Sequence, residues 1–391
     1  MKRVGLFIYV AYGSGGMFQY GQQILEALLA LPRNQFEITV FYVDNAWSEI
    51  IPERIAKHKI TFPTFVDNFL KVLFILHFPD FVLRILFRLT QLRRISNSNL
   101  DLVIFPSQDL AGVFLTKKSV NVVHDMMHRY EPQFKESSSF GRGKFRDRLF
   151  ESFCENSMVV LVDSNVGKNQ MKESYGVDER KIDILPYVAP SHIVSYNDSL
   201  NTQYFKDVNL PAKFVFYPAQ FWPHKNHKIL IEAAELLKED IKDFQLLFLG
   251  PKKHAFHDLY EMVREKNLLD TIKFIDYVPN EVLGGFYLRA RAMIMPTFYG
   301  PTNIPPLEAI ALKCPVAVSN IYGMPDQLGD AALYFDNKDV RDVAKVISML
   351  WTDDSICAAL KNKSEKHALE WNHEKFNLRL REIINVNLQE A

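Results

Sequence analysis

The chain has 391 residues, 46 basic and 46 acidic side chains, and 48% hydrophobic residues. That length exceeds what one hydrophobic core usually supports, and the composition excludes a disordered chain. The charge balance argues against a nucleic-acid partner; Cys154, Cys314 and Cys357 lie too far apart for a zinc ribbon or a disulfide scaffold and fit a reducing, cytoplasmic compartment.

The first residues, Met1-Lys2-Arg3 followed by an apolar run at 4–10, imitate a short signal sequence. A glycine-rich turn stands where the cleavage site would be, so the run reads as a buried first strand. Further short apolar runs without alternation fall at 36–43, 100–105, 120–123 and 159–162, as buried parallel strands require, with helical stretches between several of them. From Pro186 to Pro211 the periodicity is lost among Asn, Asp, Ser and Pro. The pattern restarts with strands at 214–217, 245–249, 272–275, 292–295 and 315–319, alternating with helices such as 228–237 and 306–312. The expected organisation is therefore α/β, with two doubly wound Rossmann-like domains at 1–195 and 205–370. A last helix, 371–391, is expected to cross back to the first domain.

Residues 62–92 break this beat. They are dense in Phe, Leu, Ile and Val, but Asp67, Lys71, Asp80, Arg84 and Arg88 interrupt the run, and Pro63 and Pro79 punctuate it. A spanning helix needs roughly 20 nearly uncharged residues, which excludes one here. The segment 81–94 sets cations beside bulky apolar groups. That pattern fits a helix lying on an anionic membrane surface, or a core helix with solvated arginines.

Four loops carry candidate chemistry. Gly13-Ser14-Gly15-Gly16 follows the first strand and opens a helix, where backbone amides can approach an anion or simply make a tight turn. It does not match the dinucleotide fingerprint, which leaves a nicotinamide oxidoreductase the weakest reading. His124-Asp125-Met126-Met127-His128 follows a strand; without the glutamate of HExxH or a third ligand, a sugar-hydroxyl contact by His124 is a better reading than a metal, set against a core histidine beside a capping Asp125. Lys225 ends the loop 218–225, just before a helix, where it could neutralise a diphosphate or be an ordinary surface lysine. Glu308 follows Pro305-Pro306 at a helix entry, and one carboxylate there could accept bonds from the two hydroxyls of a ribose.

The run from Tyr299 through 315–319 to Gly323-Met324-Pro325-Asp326-Gln327-Leu328-Gly329-Asp330-Ala331-Ala332 resembles the signature of family 4 retaining glycosyltransferases with the GT-B fold. The loops at Gly15-Gly16, His124-Asp125 and 219–225 and the Trp371 helix resemble the same family in the same order, and 62–92 matches least. The resemblance implies two Rossmann-like domains facing across a cleft. It makes Glu308 the ribose ligand, Lys225 the diphosphate lysine and His124 the residue near the transferred sugar. Gly15 and Gly16 would face phosphates and acceptor, Val278 would read the base through its backbone, and Asn303 and Ile304 would offer amides to the donor. Two positions depart from the family: Gly300 replaces the first glutamate of E-x7-E, and Gln220 replaces an arginine. Thr302, Asn303 and backbone amides would then take over those roles.

The expected activity is retaining transfer of a hexose, with mannose the leading guess, from a nucleoside-diphosphate sugar to a saccharide or lipid-linked acceptor. The setting would be polysaccharide synthesis, such as O-antigen or lipopolysaccharide assembly. No DxD stands at an expected strand end, and Asp353-Asp354 reads as a helix cap, so the transfer is expected to be metal-independent with no cofactor. The protein would be cytoplasmic, with peripheral association at the inner face of the membrane. The alternatives are a non-catalytic nucleotide-sugar or acceptor-binding subunit, and a GT-B-like nucleotide-sugar epimerase.

Overall fold

The computed structural model describes residues 1–115, 118–139 and 141–389. The chain divides into two compact units, residues 1–187 together with 373–391, and residues 188–372. Each unit is built on one parallel sheet.

Unit 1 contains β1 (Lys2–Ile8), β2 (Phe36–Tyr42), β3 (Ala56–Lys59), β4 (Leu102–Phe105), β5 (Ser119–Val122), β6 (Val159–Val162) and β7 (Ile182–Ile184). All pairings are parallel, in the order β3-β2-β1-β4-β5-β6-β7. The inner strands β4, β5 and β6 are buried along their whole length; β4 and β6 are apolar without alternation, whereas β5 buries Ser119 and Asn121, whose side-chain amide donates to the Ser119 and Ser157 hydroxyls. Sequence patterning missed β3 and β7. Both are edge strands, and an edge strand has fewer neighbours to cover it; β3, Ala-Lys-His-Lys, is mostly exposed.

Four helices of this unit matter below: α1 (Gly16–Leu29), α2 (Thr64–Ile75), α3 (Asp80–Arg88) and α4 (Arg142–Asn156). Pro63 and Pro79 precede α2 and α3 as N-caps, so the two breakers in the apolar segment are helix starts. Leu70 and Phe74 of α2 and Leu83 and Phe87 of α3 enter the core, where the rings of Phe74 and Phe87 meet Phe114 at 5.8 and 4.8 Å. Segment 62–92 is thus a pair of one-sided helices.

Unit 2 contains β8 (Val215–Pro218), β9 (Leu246–Leu249), β10 (Ile272–Ile275), β11 (Ala292–Met295), β12 (Val316–Ser319) and β13 (Leu333–Phe335), all parallel, in the order β10-β9-β8-β11-β12-β13. The strand missed here, β13, is again an edge. Its helices include α5 (His227–Asp240), α6 (Asn280–Arg289), α7 (Ile304–Ala311), α8 (Met324–Leu328) and α9 (Asp354–Glu370). Asp353 caps α9, accepting from the amides of Ser355 and Ile356. The final helix, α10 (His373–Gln389), belongs to unit 1, where Phe376 meets Tyr20 of α1, Arg379 pairs with Asp183 at 2.7 Å and Lys2 bonds Asn385 at 2.6 Å.

Both sheets are doubly wound, so each has one place where the strand order reverses: between β1 and β4 in unit 1, and between β8 and β11 in unit 2. Open α/β sheets hold ligands outside the carboxyl ends of the strands at that reversal.

Candidate functional site

In unit 2 the two loops that flank the reversal are bonded to each other. The loop after β8 ends in a single 3-10 turn, Pro223–Lys225, and the loop after β11 runs through 296–303. The His224 carbonyl accepts from the Phe298 amide at 2.9 Å and the Thr297 hydroxyl at 3.2 Å, and its ring stacks on Tyr299 with centroids 4.0 Å apart. Asn226 takes a left-handed conformation, φ 57°, and its side-chain amide donates to the carbonyls of Pro296 and Asn337. Half-buried Lys225 therefore sits between two stapled residues, beside the loop that leads into α7.

Helix α7 starts at Ile304, earlier than its proline pair indicates, because Pro305 and Pro306 fit the first turn, where amide hydrogens lack partners. Glu308 consequently lies in the second turn and is only 3% exposed. Its carboxylate accepts a 2.6 Å bond from the Tyr287 hydroxyl of α6. Burial and the adjacent carboxylate push the Tyr287 phenol well above its ordinary pKa, so it remains the donor. The two prolines also strip donors from the start of α7, leaving the amides of Ile304 and Leu307 in its first turn.

Asn303 is held by Gln327 of α8. The Asn303 amide donates to Gln327 Oε1 at 3.0 Å, and Gln327 Nε2 donates to the Asn303 carbonyl at 2.9 Å. The Asn303 amide expected to face the donor is thus occupied within the protein. The Asn303 side chain donates to the Tyr299 carbonyl, and Gly323 donates to Pro301, so the whole 299–303 turn is braced. Thr302 is buried in that turn.

Gly300 has φ 94°, and a Cβ there would lie 2.7 Å from the Thr302 carbonyl oxygen and 2.8 Å from Asn303 Nδ2. The turn is built around glycine. Gln220 accepts from the Trp222 indole at 3.0 Å. At the ends of β9 and β10 a cavity of about 210 Å³ is lined by Phe221, Gly250, Lys252, Phe256, Phe274 and Asp276. Val278 is buried just beyond Asp276 and is not in that lining.

In unit 1 the glycine loop after β1 is exposed from Ala11 to Met17. Gly15 caps α1 with φ 66° and ψ −135°, a conformation that a side chain resists, and Gly16 opens the helix. His124, after β5, is half-buried and bonded at both ring nitrogens: Nε2 to the Pro106 carbonyl at 2.9 Å, Nδ1 to the Tyr187 hydroxyl at 3.0 Å. A carbonyl only accepts, so Nε2 carries the proton and Nδ1 receives Tyr187's. Burial lowers the His124 pKa and keeps that neutral form. A donor bond from His124 to a sugar would have to displace Pro106. His128 parts company with His124 and bonds Asp147 at 3.0 Å, while Asp125 caps the Met127 amide and pairs with Arg146.

Across the unit 1 reversal lie acidic groups that sequence patterning did not single out. Asp67 of α2 accepts from the Tyr9 hydroxyl at 2.7 Å and from Lys71 at 2.6 Å. Asp109, after β4, accepts from Ser107 and the Ala111 amide, and burial pushes its carboxyl up to about 7.

Residues 202–367 match the family model described as glycosyl transferases group 1. Unit 2 carries a group 1 glycosyltransferase domain. The group 1 match spans the Lys225 loop, the 299–308 turn and Gln327, the same parts the hydrogen bonds tie together. Similar curated proteins include O-antigen chain mannosyltransferase B of Escherichia coli, 22% identical over 61% of this chain and 62% of that one. O-antigen chain mannosyltransferase RfbU of Salmonella typhimurium is 26% identical over 58% of each. The matched stretches cover less than two thirds of either relative. Among solved structures, sucrose-phosphate synthase of Thermosynechococcus elongatus matches with a TM-score of 0.76 at 18% identity, over all of both chains. Anabaena Alr3699/HepE in complex with UDP and glucose matches with a TM-score of 0.73 at 13% identity, over 98% of this chain and 99% of that one. The fold is α/β with two parallel-sheet Rossmann-like units, and its structural neighbours include GT-B glycosyltransferases.

The group 1 domain thus brings Lys225, Gln220, Thr302, Asn303, Ile304 and Glu308 to one edge of one sheet. Tyr287 and Gln327 are the members that sequence reasoning missed. Gln327 stands inside the signature run without a chemical motif of its own, and Tyr287 lies on a helix with no distinguishing spacing.

Proposed function

We propose that this chain is a retaining glycosyltransferase that moves a hexose from a nucleoside-diphosphate sugar to a saccharide or lipid-linked acceptor in surface-polysaccharide synthesis. The observation that carries the reading is the stapling of the Lys225 loop to the 296–303 loop across the strand-order reversal of unit 2. A nucleotide lying there would meet Glu308 at its ribose and Lys225 with the Ile304 amide at its diphosphate. The 210 Å³ cavity beside Phe221 and Phe274 offers an aromatic wall for a base.

In the proposed reaction the bond from the anomeric carbon to the phosphate oxygen breaks, and the acceptor oxygen bonds to the same face of that carbon. The acceptor proton passes to the departing phosphate. Lys225 meets the charge that develops on the diphosphate. The loops 219–226 and 296–303 contain no carboxylate to hold a divalent cation, which supports a metal-independent reaction. Relatives named as O-antigen mannosyltransferases support mannose as the transferred sugar. The neighbour solved with UDP and glucose keeps uridine donors in view.

A non-catalytic binding subunit is the second reading, favoured by Gly300 and Gln220. Purified chain incubated with GDP-mannose, UDP-glucose and dTDP-sugars, with and without saccharide acceptor, separates the two. Release of nucleoside diphosphate with a new glycosidic product supports the transferase; thermal stabilisation by donor without any turnover would reduce it to the binding subunit.

A further inference from the structure

Helices α2 and α3 each bury one face and leave the other uncovered. Phe65, Phe69, Val72 and Leu76 follow one another at helical spacing along α2 and its C-cap, and Phe81, Ile85 and Leu89 do so along α3 and its C-cap. All are exposed, Phe65 and Leu89 by 75% and 76%, and Phe78 in the turn between the helices is exposed as well. Scattered apolar side chains need no explanation, but two adjoining stripes on consecutive helices form an interaction surface. No helix among the described residues is long and apolar enough to cross a membrane.

The charges along the two helices are mostly cationic. Residues 62–100 contain Lys71, Arg84, Arg88, Arg93 and Arg94 against only Asp67 and Asp80. Asp67 is buried and held by Lys71 and Tyr9, while exposed Asp80 pairs with Arg148 of α4. Arg88, Arg93 and Arg94 are exposed, and α4, packed on α2, adds exposed Arg142 and Lys144 at its start and exposed Glu151 and Glu155 towards its end, so that the exposed cations outnumber the exposed acids. In a symmetric pair of chains joined through this face, the cationic rims would be brought together. An anionic lipid surface satisfies stripe and rim at once.

We propose that the α2–α3 face lies in the headgroup region of an anionic bilayer, its apolar stripes inserted and its arginines on lipid phosphates. The Tyr9–Asp67 bond ties the inserted helix to the carboxyl end of β1, beside the Gly13–Gly16 loop. The face therefore sets that edge of the unit 1 sheet against the membrane, where a lipid-linked acceptor resides; this last step rests on the transferase reading.

The test uses the full chain and phosphatidylcholine vesicles with or without phosphatidylglycerol. The wild type sediments with the anionic vesicles, and binding weakens by about tenfold or more without the anionic lipid or in high salt. The variant Phe65→Ser/Phe69→Ser/Leu89→Ser, whose changes are at exposed positions, loses binding by about tenfold or more with an unchanged melting temperature. Its transfer to a water-soluble saccharide stays at the wild-type level, while transfer to a lipid-linked acceptor in anionic vesicles falls. Wild-type chain left in the supernatant, or a serine variant that binds as well as the wild type, overturns the proposal. So does a wild type that is dimeric without lipid and becomes monomeric in the serine variant, because the face would then join two copies. If neither acceptor is glycosylated yet vesicle binding follows the pattern above, the transferase reading fails and the membrane face stands.

Discussion

The hydroxyl of Tyr287 and the carboxylate of Glu308 form a 2.6 Å hydrogen bond between α6 and α7, with both side chains buried. The bond fixes which way the carboxylate turns and leaves a phenol, rather than solvent, as its partner. Replacing Glu308 with Ala removes a charged acceptor worth about 1.5–3 kcal/mol, so donor affinity falls roughly ten- to hundredfold, measurable by calorimetry. Tyr287→Phe keeps the carboxylate but frees its orientation, raising KM for the donor more than it lowers kcat.

Lys225 stands between His224 and Asn226, whose bonds to the 296–299 loop and Asn337 do not involve the lysine side chain. Lys225→Ala is expected to lower kcat by about a hundredfold, as loss of one electrostatic group on developing charge does, with the melting temperature unchanged. Turnover at the wild-type level would take Lys225 out of the mechanism.

Gly300, where the sequence resemblance would put a glutamate, lies in a turn that has no room for a side chain. Gly300→Glu forces a residue with φ 94° against the Thr302 carbonyl and is expected to destabilise the group 1 domain by about 1–3 kcal/mol without raising transfer. Chemical denaturation and a turnover assay on the same variant check both parts.

Gln327 satisfies both backbone groups of Asn303. Gln327→Leu leaves them unpaired at the start of α7 and costs about 1–3 kcal/mol. Donor KM is expected to rise in step, since the loosened turn carries Thr302 and the Ile304 amide; an unchanged KM would separate the brace from the site.

Asp109 gives unit 1 a pH signature. Its folded carboxyl titrates near 7, above the ordinary 3.8, so between those values the folded state holds a proton that the unfolded state has lost. Its contribution is fully present below about pH 4 and is lost as pH rises towards 7, by at most roughly 1.4 kcal/mol per pH unit. Asp109→Asn removes that slope, which urea titrations across the window detect as a flatter stability profile.

Most of the architecture could be read from residue patterns. The ten runs taken as strands are strands, most of them because a parallel strand covered on both faces is largely apolar; β5, with buried Ser119 and Asn121, and the edge strand β10, with exposed Lys273, depart from that rule. The three strands overlooked, β3, β7 and β13, are edges, where a half-covered strand needs no such run. Lys225 and Glu308 stand out in the sequence as candidates because a lysine before a helix and a glutamate after a proline pair are local patterns. Tyr287 and Gln327 act through partners 21 and 24 residues away, and no local pattern encodes that.

By itself the sequence determined the alternation of strands and helices, the restart after the Pro186–Pro211 break, and the loops rich in polar groups, because each depends on neighbours a few residues apart. Only the tertiary structure decided the strand order, and with it the reversal that sets the β8 and β11 loops side by side. It also decided that α2 and α3 bury one stripe and expose another. Hydrophobic periodicity reports that a face must be covered; what covers it depends on chain segments far away, and only folding brings those together.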